Sequence, residues 1–265
     1  MVDASNRLVT LTRAGFATRG LLYIVIAIFV ITTGRAEDPA GALEYLGQGG
    51  GRVFLLLMAA GLFSYGLWRL TDALFNIEGH DKDRSGFGAR LGAGASGLIH
   101  LLLAWQAVKF AQGASAASGS SPQENAQSML TMPGGGAMLF IVGLLLLVVG
   151  AFQIIKAIKG SYLEQLEPKI ANQAWVKWSG RFGYAARSTI FIITGFFFVS
   201  AGLSEQASEA GGMAEALRWL TNPWDMIVAV GILAFGLFSL IEARYRVIHR
   251  VPVESFGSQI KSKLH

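Results

Sequence analysis

The chain has 265 residues, 52% hydrophobic and only 15% charged, with a formal net charge of +5 and no cysteine. Ordinary soluble domains are roughly 25% charged, so a typical water-facing globular domain is excluded. The lack of cysteine excludes disulfides and thiolate chemistry, and with no basic soluble domain to carry it, the positive charge does not point to nucleic acid.

Residues 1–12 are short and polar. Arg7, Arg13 and Arg19 ahead of the first apolar run resemble the start of a secretory leader, a reading set aside because the same run recurs inside the chain. Six segments, at about 13–34, 53–75, 90–112, 136–158, 181–203 and 224–246, are predicted to be transmembrane helices. Their strictly uncharged cores, such as Gly20–Gly34, span roughly 22–24 Å against a hydrocarbon layer of roughly 30 Å. The flanking Arg and Lys are therefore expected to snorkel to the interface.

The odd-numbered segments share an opening. Arg13-Ala14-Gly15, Arg90-Leu91-Gly92 and Arg181-Phe182-Gly183 each lead into an apolar run. The even-numbered segments share an ending, in Gly66 to Asp72-Ala73, Gly150 to Lys156-Ala157 and Gly236 to Glu242-Ala243. The unit is thus two helices, used three times at about 13–75, 90–158 and 181–246, in a single membrane domain. A basic tail at 247–265 follows. Between the helices of each unit, Ala42–Leu46, Ala126–Leu130 and Ala216–Leu220 read as short interfacial helices. The expected fold class is all-α and polytopic, six helices arranged pseudo-threefold about the membrane normal.

Of the 22 Lys and Arg, 18 fall on the side of the N-terminus, the 76–89 and 159–180 connections and the tail. The positive-inside rule places both termini in the cytoplasm. Three Arg-x-Gly two-helix units with this shared ending resemble the bacterial membrane family called domain of unknown function 1206. The resemblance covers residues 13–246. It implies a six-helix protein of a bacterial cytoplasmic membrane and supplies no activity.

One charge constellation stands out. Seven positions into the units stand Arg19, Ser96 and Arg187, and near the second-helix ends stand Asp72, Lys156 and Glu242. Arg near a helix N-terminus and an acid near a C-terminus each oppose the local dipole. Pairing relieves both, so Arg19 with Asp72 and Arg187 with Glu242, or pairs with the adjacent unit, are expected as structural ion pairs. Arg69 competes for Asp72. Arg13, Arg90, Arg181 and Lys156 form a cytoplasmic basic ring, open to a gating or anion-binding role.

His100 is the one histidine inside a membrane segment, and intramembrane ionisable groups are functional candidates. Tyr23 and Phe191 hold its place in the other units, so an aromatic packing slot is preferred to a pore or ligand position. No catalytic motif, metal cluster or cofactor signature is present, and cofactors are expected to be none. The leading expectation is a non-enzymatic structural or accessory subunit, or a small-molecule or lipid-binding module. Membrane lipids with anionic headgroups, and a protein partner or second copy, are the expected partners. The alternative is a transporter or channel with its pathway on the pseudo-threefold axis. That alternative needs His100, Tyr23 and Phe191 to face a wet cavity.

Overall fold

In a computed structural model of the chain, residues 4–34, 36, 38–47, 51–76, 84–114 and 121–247 are described. The basic tail beyond Val247, together with Arg35, His80, His249 and His265, lies outside them. Among the described residues, six helices are long and apolar enough to cross a membrane. They are α1 (Ala4–Thr33), α3 (Arg52–Phe75), α4 (Arg84–Ala111), α6 (Gly135–Lys159), α8 (Ala174–Ser204) and α10 (Trp224–Tyr245). Among the described residues there is no strand, only an isolated bridge between Leu166 and Arg246.

The three expected interfacial helices are present as α2 (Pro39–Gly47), α5 (Pro122–Leu130) and α9 (Met213–Trp219). Each begins on a local device. Asp38 and Gly212 accept the first helical bonds from Ala42 and Ala216. Ser121 and Glu124 form a reciprocal capping box. A four-residue α7 (Pro168–Ala171) lies in the long connection before α8.

The most extensive helix pairings run from the second helix of one unit to the first helix of another: α3 with α4, α6 with α8, and α10 with α1. All three use one register. Cβ atoms added at Gly20 and Gly97 would stand 2.8 and 2.9 Å from the carbonyl oxygens of Gly236 and Gly66. At the third crossing Ser188 donates its hydroxyl to the Gly150 carbonyl at 2.7 Å. Small residues let the backbones touch, which in lipid is where helix association gains its energy.

Within units the picture is uneven. α1 packs on α3 and α8 on α10, but α4 and α6 form no comparable contact. The helices follow one another as an arc, α4-α3-α1-α10-α8-α6, whose ends touch where Phe152 of α6 rests against Gly88 of α4 but do not pack along their length, so the pseudo-threefold arrangement is uneven. The cause is visible in side-chain size. Gly61 and Gly231 sit against Thr18 and Ala186, where no side chain would fit. The same position of α6 is Leu145, which is exposed. Accordingly only 28% and 22% of the apolar stretches of α4 and α6 are buried, against 56% in α1 and α10.

On the face opposite the basic one, Asp38 reaches from the first unit to accept the Ala214 amide of α9 at 2.9 Å. Burial pushes this carboxyl above the ordinary carboxylate range. The amides of Ala214 and Met213 and the charge of Arg218 pull it down, and Glu215 pushes it up. Between the unfolded and the raised folded value the folded chain binds more protons, so stability falls as pH rises through that window. Asp38→Asn keeps an acceptor for Ala214 and removes the titration. The expected result is a flatter dependence of thermal midpoint on pH from mildly acidic to neutral, with the variant at least as stable as wild type at pH 7.

Candidate functional site

A buried ionic cluster holds the basic half of the bundle together. Arg19 on α1 is 4% exposed and all three of its guanidinium nitrogens are used. Nε and one terminal nitrogen donate to Ser239 Oγ at 3.1 and 2.9 Å. That same terminal nitrogen donates to Glu242 Oε2 at 2.5 Å, and the other donates to the Tyr65 hydroxyl. The rings of Phe16, Tyr65 and Phe235 surround the guanidinium at 4.8 to 5.0 Å, a favourable seat for a desolvated cation.

Glu242 on α10 spends its second oxygen on Arg246, at 2.5 Å. Arg246 also donates to Gln165 Oε1 and lies over Phe16 and Trp68. One carboxylate thus bridges two arginines and ties α1, α10 and the connection before α8. The backbone adds to this, with Glu167 N donating to Tyr245 O and Val247 N to Gln165 O.

Arg19 therefore pairs with Glu242 of the third unit and not with Asp72 of its own. The expected Arg187–Glu242 pair is replaced by the same contact. Asp72 is fully buried and is bonded by Arg69 at 3.5 Å. The reason is the shared crossing register. The residue just before Gly20, Gly97 or Ser188 meets the second helix of the neighbouring unit, three and six residues beyond Gly236, Gly66 or Gly150. For Arg19 those positions are Ser239 and Glu242. For Arg187 they are Gln153 and Lys156, neither an acid. Arg187 instead lies over Tyr23, Phe191 and Phe235 at 5.4, 5.1 and 4.5 Å, with its Nε buried and without a hydrogen-bond partner.

The arginines of the Arg-x-Gly motif have a different task. Arg13 donates to the Arg244 carbonyl at 2.7 Å. Arg90 donates to those of Ala73 and Leu74, and Arg181 to those of Ala157 and Ile158. Each caps the C-terminal carbonyls of a second helix in another unit, where orphan acceptors and the dipole favour a cation. These three members of the expected basic ring are helix caps. Lys156 stands in the last turn of α6.

His100 is 3% exposed, with Nδ1 2.7 Å from the Ser96 carbonyl and its ring 4.5 Å from Tyr65. Arg19, Arg187 and Arg69 act on it electrostatically. Tyr23 is 9% exposed and packs edge-on against Phe235. Phe191 lies under Arg187. Sequence reasoning missed Tyr65, Ser239, Gln165 and Arg246 as members of the cluster. The i, i+3 spacing of Ser239 and Glu242 and the i, i+4 spacing of Glu242 and Arg246 were its available signs.

A shallow cavity of about 350 Å³ lies at the opposite face, between α5, α8 and α9, beside Phe196, Phe197 and Gln123. Its acids are already engaged. Glu209 accepts the Ser200 hydroxyl, and Glu215 accepts the Gly212 amide and pairs with Arg218.

Six apolar crossings, helix ends capped between units and an ion cluster enclosed by aromatic rings define a polytopic α-helical membrane protein. Its sequence belongs to the family described as Domain of Unknown Function (DUF1206), which matches at residues 14–76, 91–160 and 182–246. A relative in Bacillus subtilis (strain 168), the uncharacterized protein YxxB, is 26% identical over 247 residues, 88% of this chain and 90% of its own length. No solved structure matches the chain significantly.

Proposed function

We propose that the protein is a non-enzymatic accessory or binding module of a bacterial cytoplasmic membrane, with both termini in the cytoplasm. The observation that carries this reading is how the charged groups inside the bundle are spent. Glu242 bridges Arg19 and Arg246, and Arg13, Arg90 and Arg181 cap helices. Such an arrangement fixes helix positions and leaves these groups little freedom to move protons or ions.

Transport along the axis is the weaker reading. It needs Tyr23 and His100 to face water, whereas both are buried against aromatic neighbours. Proteoliposomes containing the purified chain are expected to hold proton and potassium gradients as long as empty vesicles do. Collapse of either gradient that depends on the protein overturns the accessory reading in favour of transport. Isolation from native membrane as a lone, lipid-free monomer would count against the accessory role itself.

A further inference from the structure

The second unit presents to its surroundings a helix face that the other two units bury. Leu22 and Ile190 are 1% and 7% exposed, and the equivalent Ile99 is 42% exposed. Thr18 and Ala186 are buried, and the equivalent Ala95 is exposed. A Cβ on Gly15 or Gly183 would meet Tyr65 or Phe235 at 2.7 or 2.6 Å, and one on Gly92 would meet nothing within 4 Å. Gly92, Ala95, Ile99 and Leu102 follow at i, i+3, i+7 and i+10, so they form one stripe along α4, beginning one turn past Gly88, where Phe152 of α6 rests on α4. Across the seam, Val149 on α6 is half-buried where Tyr65 and Phe235 are buried.

Four polar atoms on α4, α6 and α8 add a second observation. Gln106 Oε1 on α4, Gln153 Oε1 on α6, and Arg187 Nε and Thr194 Oγ1 on α8 are buried without hydrogen-bond partners. Gln153 is 8% exposed and stands, relative to Arg187, where Ser239 stands relative to Arg19. A cation in lipid normally finds an acid or a dipole. Arg19 has Glu242, while the register offers Arg187 only Gln153 and Lys156. Arg187 is covered by rings from α1, α8 and α10 and is nonetheless partly exposed. Arg187 also acts electrostatically on His100 of α4, so the second unit, where the short Ser96 replaces an arginine, lies beside it.

We infer that the α4–α6 seam binds an anionic glycerophospholipid, an acyl chain lying along Gly92, Ala95, Ile99 and Leu102 and the phosphate turned to Arg187. Charge complementarity selects this occupant: an apolar slot ending at a cation without a carboxylate fits an acyl chain with an anionic head. Depth agrees as well. Arg187 begins roughly 9 Å along the helix from Arg181, and helical side chains lean toward the N-terminus, here the basic face, which brings the guanidinium back toward headgroup level. This goes beyond the accessory reading, since a chain with no protein partner would still bind lipid here.

Thermal unfolding of the purified full-length chain in detergent, titrated with phosphatidylglycerol, phosphatidylcholine or inorganic phosphate, tests the site. Phosphatidylglycerol is expected to stabilise at much lower concentration than phosphatidylcholine, and phosphate alone to do nothing. Arg187→Gln is expected to weaken the phosphatidylglycerol response roughly tenfold or more, the loss of one charge-assisted hydrogen bond. Gly92→Leu, whose Cβ meets no atom within 4 Å, is expected to fold and to weaken the response by filling the slot. Equal responses to both lipids, stabilisation by phosphate alone, or an undiminished response in Gly92→Leu would overturn the proposal. The chain has no cysteine, so Ala95→Cys gives one further reading. Efficient cross-linking of two copies through it in native membrane would make a second copy the occupant and overturn the lipid assignment.

Discussion

Glu242→Gln is expected to destabilise the folded chain by about 3–5 kcal/mol, the cost of leaving a buried charge without its partner. Glu242 is 2% exposed and its two oxygens serve two arginines that are themselves 4% and 5% exposed. A neutral amide cannot compensate either cation. The rings of Phe16, Tyr65 and Phe235 soften the loss for Arg19 but do not replace an anion. Exchanging both ends of the pair for apolar side chains of similar volume removes the orphaned charge at Arg19. The double variant Arg19→Met, Glu242→Met should therefore be more stable than the sum of its single losses implies. Arg246 loses its bond to Glu242 in the double variant, so recovery is partial. Thermal or denaturant unfolding in a fixed detergent measures the cycle. Strictly additive losses would show that Arg19 and Glu242 do not interact.

The six crossings are legible in the sequence because lipid imposes a simple demand, a long apolar run with its backbone bonds satisfied internally. The repeat is legible because Arg-x-Gly recurs before three of those runs. The partner of Arg19 is not legible in the same way. Sequence order suggests the acid of its own unit, Asp72, while the acid that binds it lies 223 positions away. What selects Glu242 is the contact of Gly20 with Gly236, a backbone approach that no side-chain pattern along one helix reveals. The roles of Arg13, Arg90 and Arg181 are hidden for the same reason. A helix cap supplied from another unit exists only once the units are placed side by side.

The uneven second unit lies between these cases. Its departures are in plain view: Ser96 for arginine, Lys156 for an acid, His100 for an aromatic ring, and Leu145 where the other units have Gly61 and Gly231. The first two draw attention because they change charge, and the third because it puts an ionisable ring in a membrane segment. Leu145 is one more leucine in an apolar run, yet it is the substitution that accounts for α4 and α6 not packing closely along their length. In a membrane a change from glycine to leucine alters how closely two helices approach more than it alters solubility in lipid, so its effect is geometric and silent in hydropathy.

Two equivalent glycines should therefore respond in opposite ways to one substitution. Gly183→Leu is expected to cost about 3 kcal/mol, the upper end of the range for overpacking. Its Cβ would stand 2.6 Å from the Phe235 Cα and 2.7 Å from the Phe235 nitrogen. Those are backbone atoms, so relief requires α10 to move. Because Glu242 lies on α10 two turns further on, that movement also pulls at the ionic cluster. A Cβ at Gly92 has no atom within 4 Å to displace, and the expected effect of Gly92→Leu is within about 0.5 kcal/mol of wild type, the range for surface substitutions away from packed features. Unfolding of the two variants in the same detergent makes the comparison. Equal large losses would mean that α4 and α6 pack together in the membrane as α8 and α10 do, and that the seam closes in the folded protein.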